Sequence, residues 1–281
     1  MSFGTRAVDF EERVNFDRLR QERLKRAKEY LKKSNLGALL CFDFNNTRYI
    51  IGTWIGEWAR DKMTRYCILP RDAEPILFDV GSAVVVRKQK APWIKDVRPA
   101  ISWGRGAVPK ETMAVKRFVE MLKQILIEYG VADLPLGIDI LDVPLLKELQ
   151  IARIEIADGQ EVMLNARLIK TRDEIELLKI AAAMADAAFD MVIQNMRPGW
   201  KDSDVVALIN NVLYTLGSDH VECVNVLSGP RTNPHHHDFS DRIIRPGDIV
   251  FIGIMHSYNR YRTCYYRTFC VGKPTIPTTM L

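Results

Sequence analysis

The chain has 281 residues, of which 47% are hydrophobic and 27% charged, with a formal net charge of +5. That balance excludes a disordered polymer and fits one large globular domain or two smaller ones. No apolar run approaches ~18 residues, so no membrane partner is expected, and the N-terminal "MSFGTRAVDFEERVNF" lacks the apolar core of a secretory signal.

The densest basic run, "RLRQERLKRAKEYLKK", predicts a helix over about Asn15–Ser34. Leu19, Leu24, Ala27 and Leu31 line one side of it, which makes the charges a solvated face rather than a nucleic-acid patch. "LGALLCFD" is a near-continuous apolar run that stops at an acidic residue, as a strand buried on both faces would be. "NNTRYIIG" predicts a short helix closed by Gly52, and "RYCILP" and "EPILFDV" predict two strands joined by the turn "RDAE". "GSAVVVRKQKA" predicts a helix, and a longer one runs from about Lys110 to Tyr129, ending at Gly130. "LPLGIDI" and "RIEIAD" read as further strands, so this half is an open α/β sheet.

Near Asp158 the pattern turns helical. Thr171 and Glu174 have capping-box spacing at the start of one helix, and "DSDVVALINNVLYTLG" is another, ending at Gly217. Strands follow in "VECVNVLSG", "DIVFIGIMH" and "YRTCYYRTFCVG". The expected domains are residues 1–158 and 159–281. Five cysteines without a CxxC pair suggest reduced thiols and a cytoplasmic protein.

"RLIKTRDEIELLK", "MRPG", "LSGPRTNPHHH", "DRIIRPGDIVF" and "YYRTFCVG" together resemble the creatinase/aminopeptidase P/prolidase family, and "LGALLCFDFNNTRYIIG" resembles that family's N-terminal domain. The resemblance implies a creatinase-type α/β N-terminal domain followed by an α+β pita-bread catalytic domain, here expected to be truncated to its first half. With the second half of that domain absent, the expectation is strand faces that lack covering partners, association into a homodimer or larger oligomer, and a chain inactive by itself.

Metal-dependent members place ligand aspartates at positions that fall here on Gly253 and Cys264. Glycine has no side-chain donor, and a lone thiolate poorly replaces a carboxylate bridging hard cations. No metal or other cofactor is therefore expected. His235, His236 and His237 are consecutive, so an extended segment points them alternately to opposite sides and at most two share an ion. A plain loop and a metal-free catalytic loop both remain open.

In its site pattern at these positions the chain resembles creatinase, which also lacks the metal-binding aspartates and uses a loop histidine as acid and base. Counting back eleven residues from Gly247 gives His236 as that group. Histidine in general, with an unperturbed pKa of ~6.5, suits both proton uptake and release. His235, His237, Tyr261, Arg262, Tyr265 and Tyr266 are candidate substrate contacts, with the four strand residues alternating sides. The family's N-terminal domain can lend residues to a neighbouring subunit, which makes Trp54, Trp58 and Arg65 candidates too. The expected function is metal-independent hydrolysis of a C–N bond in a small polar molecule. A metal-dependent Xaa-Pro peptidase, a dimethylsulfoniopropionate lyase-type relative and a non-catalytic binding member are the alternatives.

Overall fold

The computed structural model describes residues 14–53, 62–104 and 108–273. They form two compact units, Asn15–Thr171 and the described residues from Arg172 onward together with Val14. No helix among them is long and apolar enough to cross a membrane.

The first unit is a six-stranded mixed sheet in the order β4-β3-β2-β1-β5-β6. Its strands are β1 (Ala38–Cys41), β2 (Tyr66–Pro70), β3 (Ile76–Asp79), β4 (Asp96–Pro99), β5 (Leu136–Ile138) and β6 (Ile156–Asp158). The helices are α1 (Phe16–Lys33), α2 (Phe44–Ile51), α3 (Ala83–Lys90), α4 (Ala114–Glu128), α5 (Val143–Ile151) and α6 (Gln160–Leu168). Ala38, Leu40 and Phe42 enter a core with Phe118 and Leu122 of α4. Leu39 and Cys41 enter a second core with Leu31 of α1 and Met163 of α6. Two covered faces explain why the β1 segment shows no polar alternation.

Helix α6 packs on α1, and the first compact unit runs on past residue 158 to Thr171. At the end of β5, Asp139 accepts hydrogen bonds from the Phe42 and Asp43 amides (2.8 and 3.1 Å) and from Asn46 Nδ2 (2.9 Å). Burial pushes this carboxyl up, against those bonds.

The second unit holds α7 (Arg172–Asn195), α8 (Asp202–Thr215) and the antiparallel sheet β7 (His220–Ser228), β8 (Ile249–Tyr258) and β9 (Tyr261–Cys270), in that order. The N-cap of α8 is Lys201, whose amide donates to Asp204 at 2.8 Å, one residue before the expected Asp/Ser cap. Helix α7 packs on β8 and β9, and α8 packs on β7. The even-numbered side chains of β8 meet these helices, and Val250, Ile252, Ile254 and His256 are all fully buried. The expectation of uncovered apolar strands is therefore corrected for this face, because α7 and α8 supply its cover.

Candidate functional site

The odd-numbered side chains of β8 point away from α7 and α8 and, with their cross-strand neighbours, form three rows. Leu227, Phe251 and Thr268 make the first. Asn225, Gly253 and Tyr266 make the second, and Cys223, Met255 and Cys264 the third. The histidine loop lies over the first row. His235 meets the Phe251 ring edge-on, with centroids 4.8 Å apart, and Phe251 stacks on Tyr266 at 5.5 Å.

Several local features fix this loop. Asp248 of the "PGD" turn accepts from Arg242 Nη1 and Nη2 (2.6 and 3.1 Å) and from the Arg245 amide (2.7 Å). Arg242 also reaches Ser228 Oγ at the end of β7, at 2.6 Å. Burial pushes the Asp248 carboxyl up, but its hydrogen bonds and the two arginine charges outweigh burial and hold its pKa below the usual value. Gly229 has φ +55°, and a Cβ there would sit 2.5 Å from the Arg242 guanidinium, so this clamp requires glycine. On the other side, Ser240 Oγ donates to Asp202 (3.1 Å) and the Asp202 amide donates to the Arg242 carbonyl (3.1 Å).

Within the loop the three histidines differ. His235 is half-buried, and its Nδ1 accepts from the His237 amide at 3.2 Å. That bond leaves Nε2 as the protonated nitrogen of the neutral ring. Nε2 is shielded from solvent and has no hydrogen-bond partner among the described residues. His237 has φ 56° and packs its ring 4.2 Å from that of His235. His236, the residue selected by counting, is exposed. Of the three, His235 alone is half-buried.

The candidate substrate contacts divide by strand parity. Arg262 and Tyr266 share the face of His235, and Arg262 pairs with Glu222. Tyr261 and Tyr265 lie on the opposite, helix side. Tyr261 Oη donates to Glu174 of α7 at 3.0 Å. Tyr265 packs under the Arg267 guanidinium, 5.6 Å from its ring centre.

Arg65 belongs to the first unit, where it is buried and paired with fully buried Asp79 at 2.7 Å; Asp79 also binds Arg87 at 2.9 Å. It is a structural ion pair. Trp54 and Trp58 lie outside the described residues. Phe251, Met255, Asn225 and Cys223 were missed by the sequence reading. Their signal was the period-two alternation around Gly253 and Cys264.

The metal implied by the family does not fit these positions. A Cβ built on Gly253 would stand 2.8 and 3.0 Å from Tyr266 ring carbons, so the ring fills the space that a carboxylate would need. Cys264 is exposed and interacts with Tyr266, whose phenol pKa is raised first by its hydrogen bond to that thiol. Among the described residues, no three His, Cys, Asp or Glu side chains cluster as a metal site would require.

Residues 176–279 match metallopeptidase family M24. The chain is 35% identical over 115 residues to the probable dipeptidase PepE of Mycobacterium tuberculosis, an overlap of 41% of this chain and 31% of that protein. It is 24% identical over 267 residues to the dimethylsulfoniopropionate lyase DddP of Roseovarius nubinhibens, covering 89% of this chain and 57% of the lyase. Both matches thus span less than two thirds of the relative's length. A prolidase from Thermococcus sibiricus shares the fold with a TM-score of 0.74 and 21% identity, over 93% of this chain and 68% of that one. On these matches, residues 176–279 resemble metallopeptidase family M24, and the chain is similar to members of the creatinase/aminopeptidase P/prolidase family, sharing the fold of a prolidase.

Proposed function

We propose that this chain contributes a metal-independent acid–base site to a creatinase-like hydrolase that cleaves a C–N bond in a small polar substrate. His235 is the proton donor. The carrying observation is its orientation: Nδ1 is engaged by the His237 amide, and the proton-bearing Nε2 has no partner among the described residues. Gly253 and Cys264, at the positions of the family's carboxylates, support a reaction without metal. Hydrolysis of a C–N bond needs a base for the attacking water and a proton on the leaving nitrogen; the His235 ring would take up the water's proton and, as imidazolium, give the Nε2 proton to the leaving nitrogen. Arg262 and the Tyr266 hydroxyl, on the same face, would hold polar groups of the substrate. A cytoplasmic homodimer is the proposed setting.

A second reading, a lyase acting on dimethylsulfoniopropionate, is favoured by the match to DddP across nearly the whole chain. The test offers cyclic amidines, creatine, Xaa-Pro dipeptides and dimethylsulfoniopropionate, each with and without chelator. Our reading expects turnover of an amidine or guanidine that chelation leaves unchanged. It also expects His235→Ala to lower kcat by ~10²–10⁴ while His236→Ala changes it only a few-fold. Chelator-sensitive cleavage of Xaa-Pro or of the sulfonium compound would overturn it, as would equal losses at the two histidines. Absence of any turnover would favour a non-catalytic member of the fold.

A further inference from the structure

Strand register allows only one of the cysteine pairs among β1, β2, β7, β8 and β9 to meet disulfide geometry. Cys41 of β1 stands directly opposite Cys67 of β2. The Arg71 amide donates to the Gly37 carbonyl at 2.8 Å, just beyond the paired segment. Hydrogen-bonded and non-hydrogen-bonded pairs alternate along an antiparallel ladder, so Leu39–Leu69 and Cys41–Cys67 follow Gly37–Arg71 as hydrogen-bonded pairs. Pro70, which has no N–H, falls opposite Ala38 in the other class, as that phase requires.

Hydrogen-bonded partners have Cα atoms ~5.5 Å apart, inside the ~4.4–6.8 Å range of disulfides. Both side chains enter the same core, and a hydrogen bond to Cys67 is the largest influence on the Cys41 thiol. Cys223 and Cys264 flank Met255 on opposite sides. Two strand spacings, or ~9.5 Å, separate them, too far to bridge without backbone movement. Cys270 lies six residues along β9 from Cys264, ~20 Å away.

We propose that Cys41 and Cys67 are a latent disulfide, a redox modification site across two central strands of the first unit. The oxidant is a small uncharged peroxide. One thiolate attacks a peroxide oxygen and expels hydroxide, which becomes water, and the sulfur is left as a sulfenic acid. The second thiol attacks that sulfur and the sulfenic oxygen leaves as water. Two electrons pass from the sulfurs to the peroxide, and two thiol protons end in the two waters.

Reaction is slow, because Cys41 and Cys67 are 1% and 0% exposed and the charged thiolate is disfavoured there. Local opening of β1 and β2 gates it. The product ties β1 to β2 beside α2, whose Thr47 hydroxyl already donates to the Cys41 carbonyl at 2.9 Å.

The experiment treats the native protein with hydrogen peroxide, alkylates it in denaturant and maps peptides without reduction. The expected product links Cys41 to Cys67, appears after Cys264 has oxidised, and raises Tm by several degrees in a way that dithiothreitol reverses. Cys67→Ala should abolish the link and the Tm shift. If that variant does not fold, the wild-type map decides alone. Cys41 and Cys67 remaining alkylatable after exhaustive oxidation would overturn the proposal, as would links scattered among all cysteines.

Discussion

Replacing Gly253 by Ala tests the claim that the Tyr266 ring occupies the space a side chain at position 253 would need. The added Cβ would lie 2.8 Å from Tyr266 Cε1, 3.0 Å from Cδ1 and 3.7 Å from Asn225 Cβ. Glycine-to-alanine substitution in an unstrained conformation stabilises by ~0.4–1 kcal/mol through the unfolded chain. Here the ring must move, which forfeits some of its ~0.5–1.5 kcal/mol stack on Phe251 and adds overpacking strain of ~1–3 kcal/mol. The net expectation is a loss of about 1–2 kcal/mol. In a Tyr266→Ala background the obstruction is gone, and Gly253→Ala should stabilise by roughly 0.5 kcal/mol. Urea unfolding followed by circular dichroism, with hydrogen exchange to separate the two units, measures the four corners of this cycle. Effects of the same sign in both backgrounds, or additivity within ~0.5 kcal/mol, would refute the reasoning.

Buried His256 donates from Nε2 to the Ala181 carbonyl (2.9 Å), and burial lowers its pKa despite that bond and nearby Asp219. The unfolded chain therefore takes up the proton first. Stability should fall as pH drops below ~6.5 toward the lower folded value, and His256→Gln should flatten that slope in pH-dependent melting. Asp79→Asn strands Arg65 and Arg87 and should cost about 3–5 kcal/mol of first-unit stability, seen as a lower urea midpoint with unchanged substrate KM. Tyr261→Phe should lower stability by ~1–2 kcal/mol through loss of its bond to Glu174, and leave kcat/KM within about twofold, because it faces α7. Asp248→Asn should weaken the Arg242 clamp and raise the hydrogen exchange of residues 229–247 before it affects α7.

Legibility in the sequence followed how strongly each residue's environment is written in its neighbours. The "LGALLCFD" run disclosed a two-faced strand because both of its faces are buried. The β4 segment "DVRP" sits at the sheet edge, with only Val97 buried, and carries no apolar pattern to detect. Helix α5 had a readable start, since Asp142 caps the Leu145 amide at 2.9 Å and Pro144 follows in the first turn, yet only Leu145 and Leu149 are buried. Composition changes near Asp158, whereas membership of the first compact unit is decided by which surface α6 covers. Periodicity shows that a helix has an apolar side, and is silent on whether α1 or α7 receives it.

The histidine triplet marks the same division at the site. A fixed interval from Gly247 identifies a position along the chain, and it led to His236. Side-chain direction in a loop is set instead by its anchors: the Asp248–Arg242–Ser228 clamp at one side and the Asp202 contacts at the other. These hold the segment so that His235 meets Phe251 and His236 faces solvent. The alternation of Tyr261, Arg262, Tyr265 and Tyr266 was legible from strand geometry, but which parity faces α7 is decided by packing of the whole unit. Gly253 and Tyr266 then gain meaning together. Glycine alone shows only that position 253 offers no side-chain donor, whereas its cross-strand partner shows an aromatic ring in the space that a side chain there would enter. An acid at 253 would therefore require removing the ring as well.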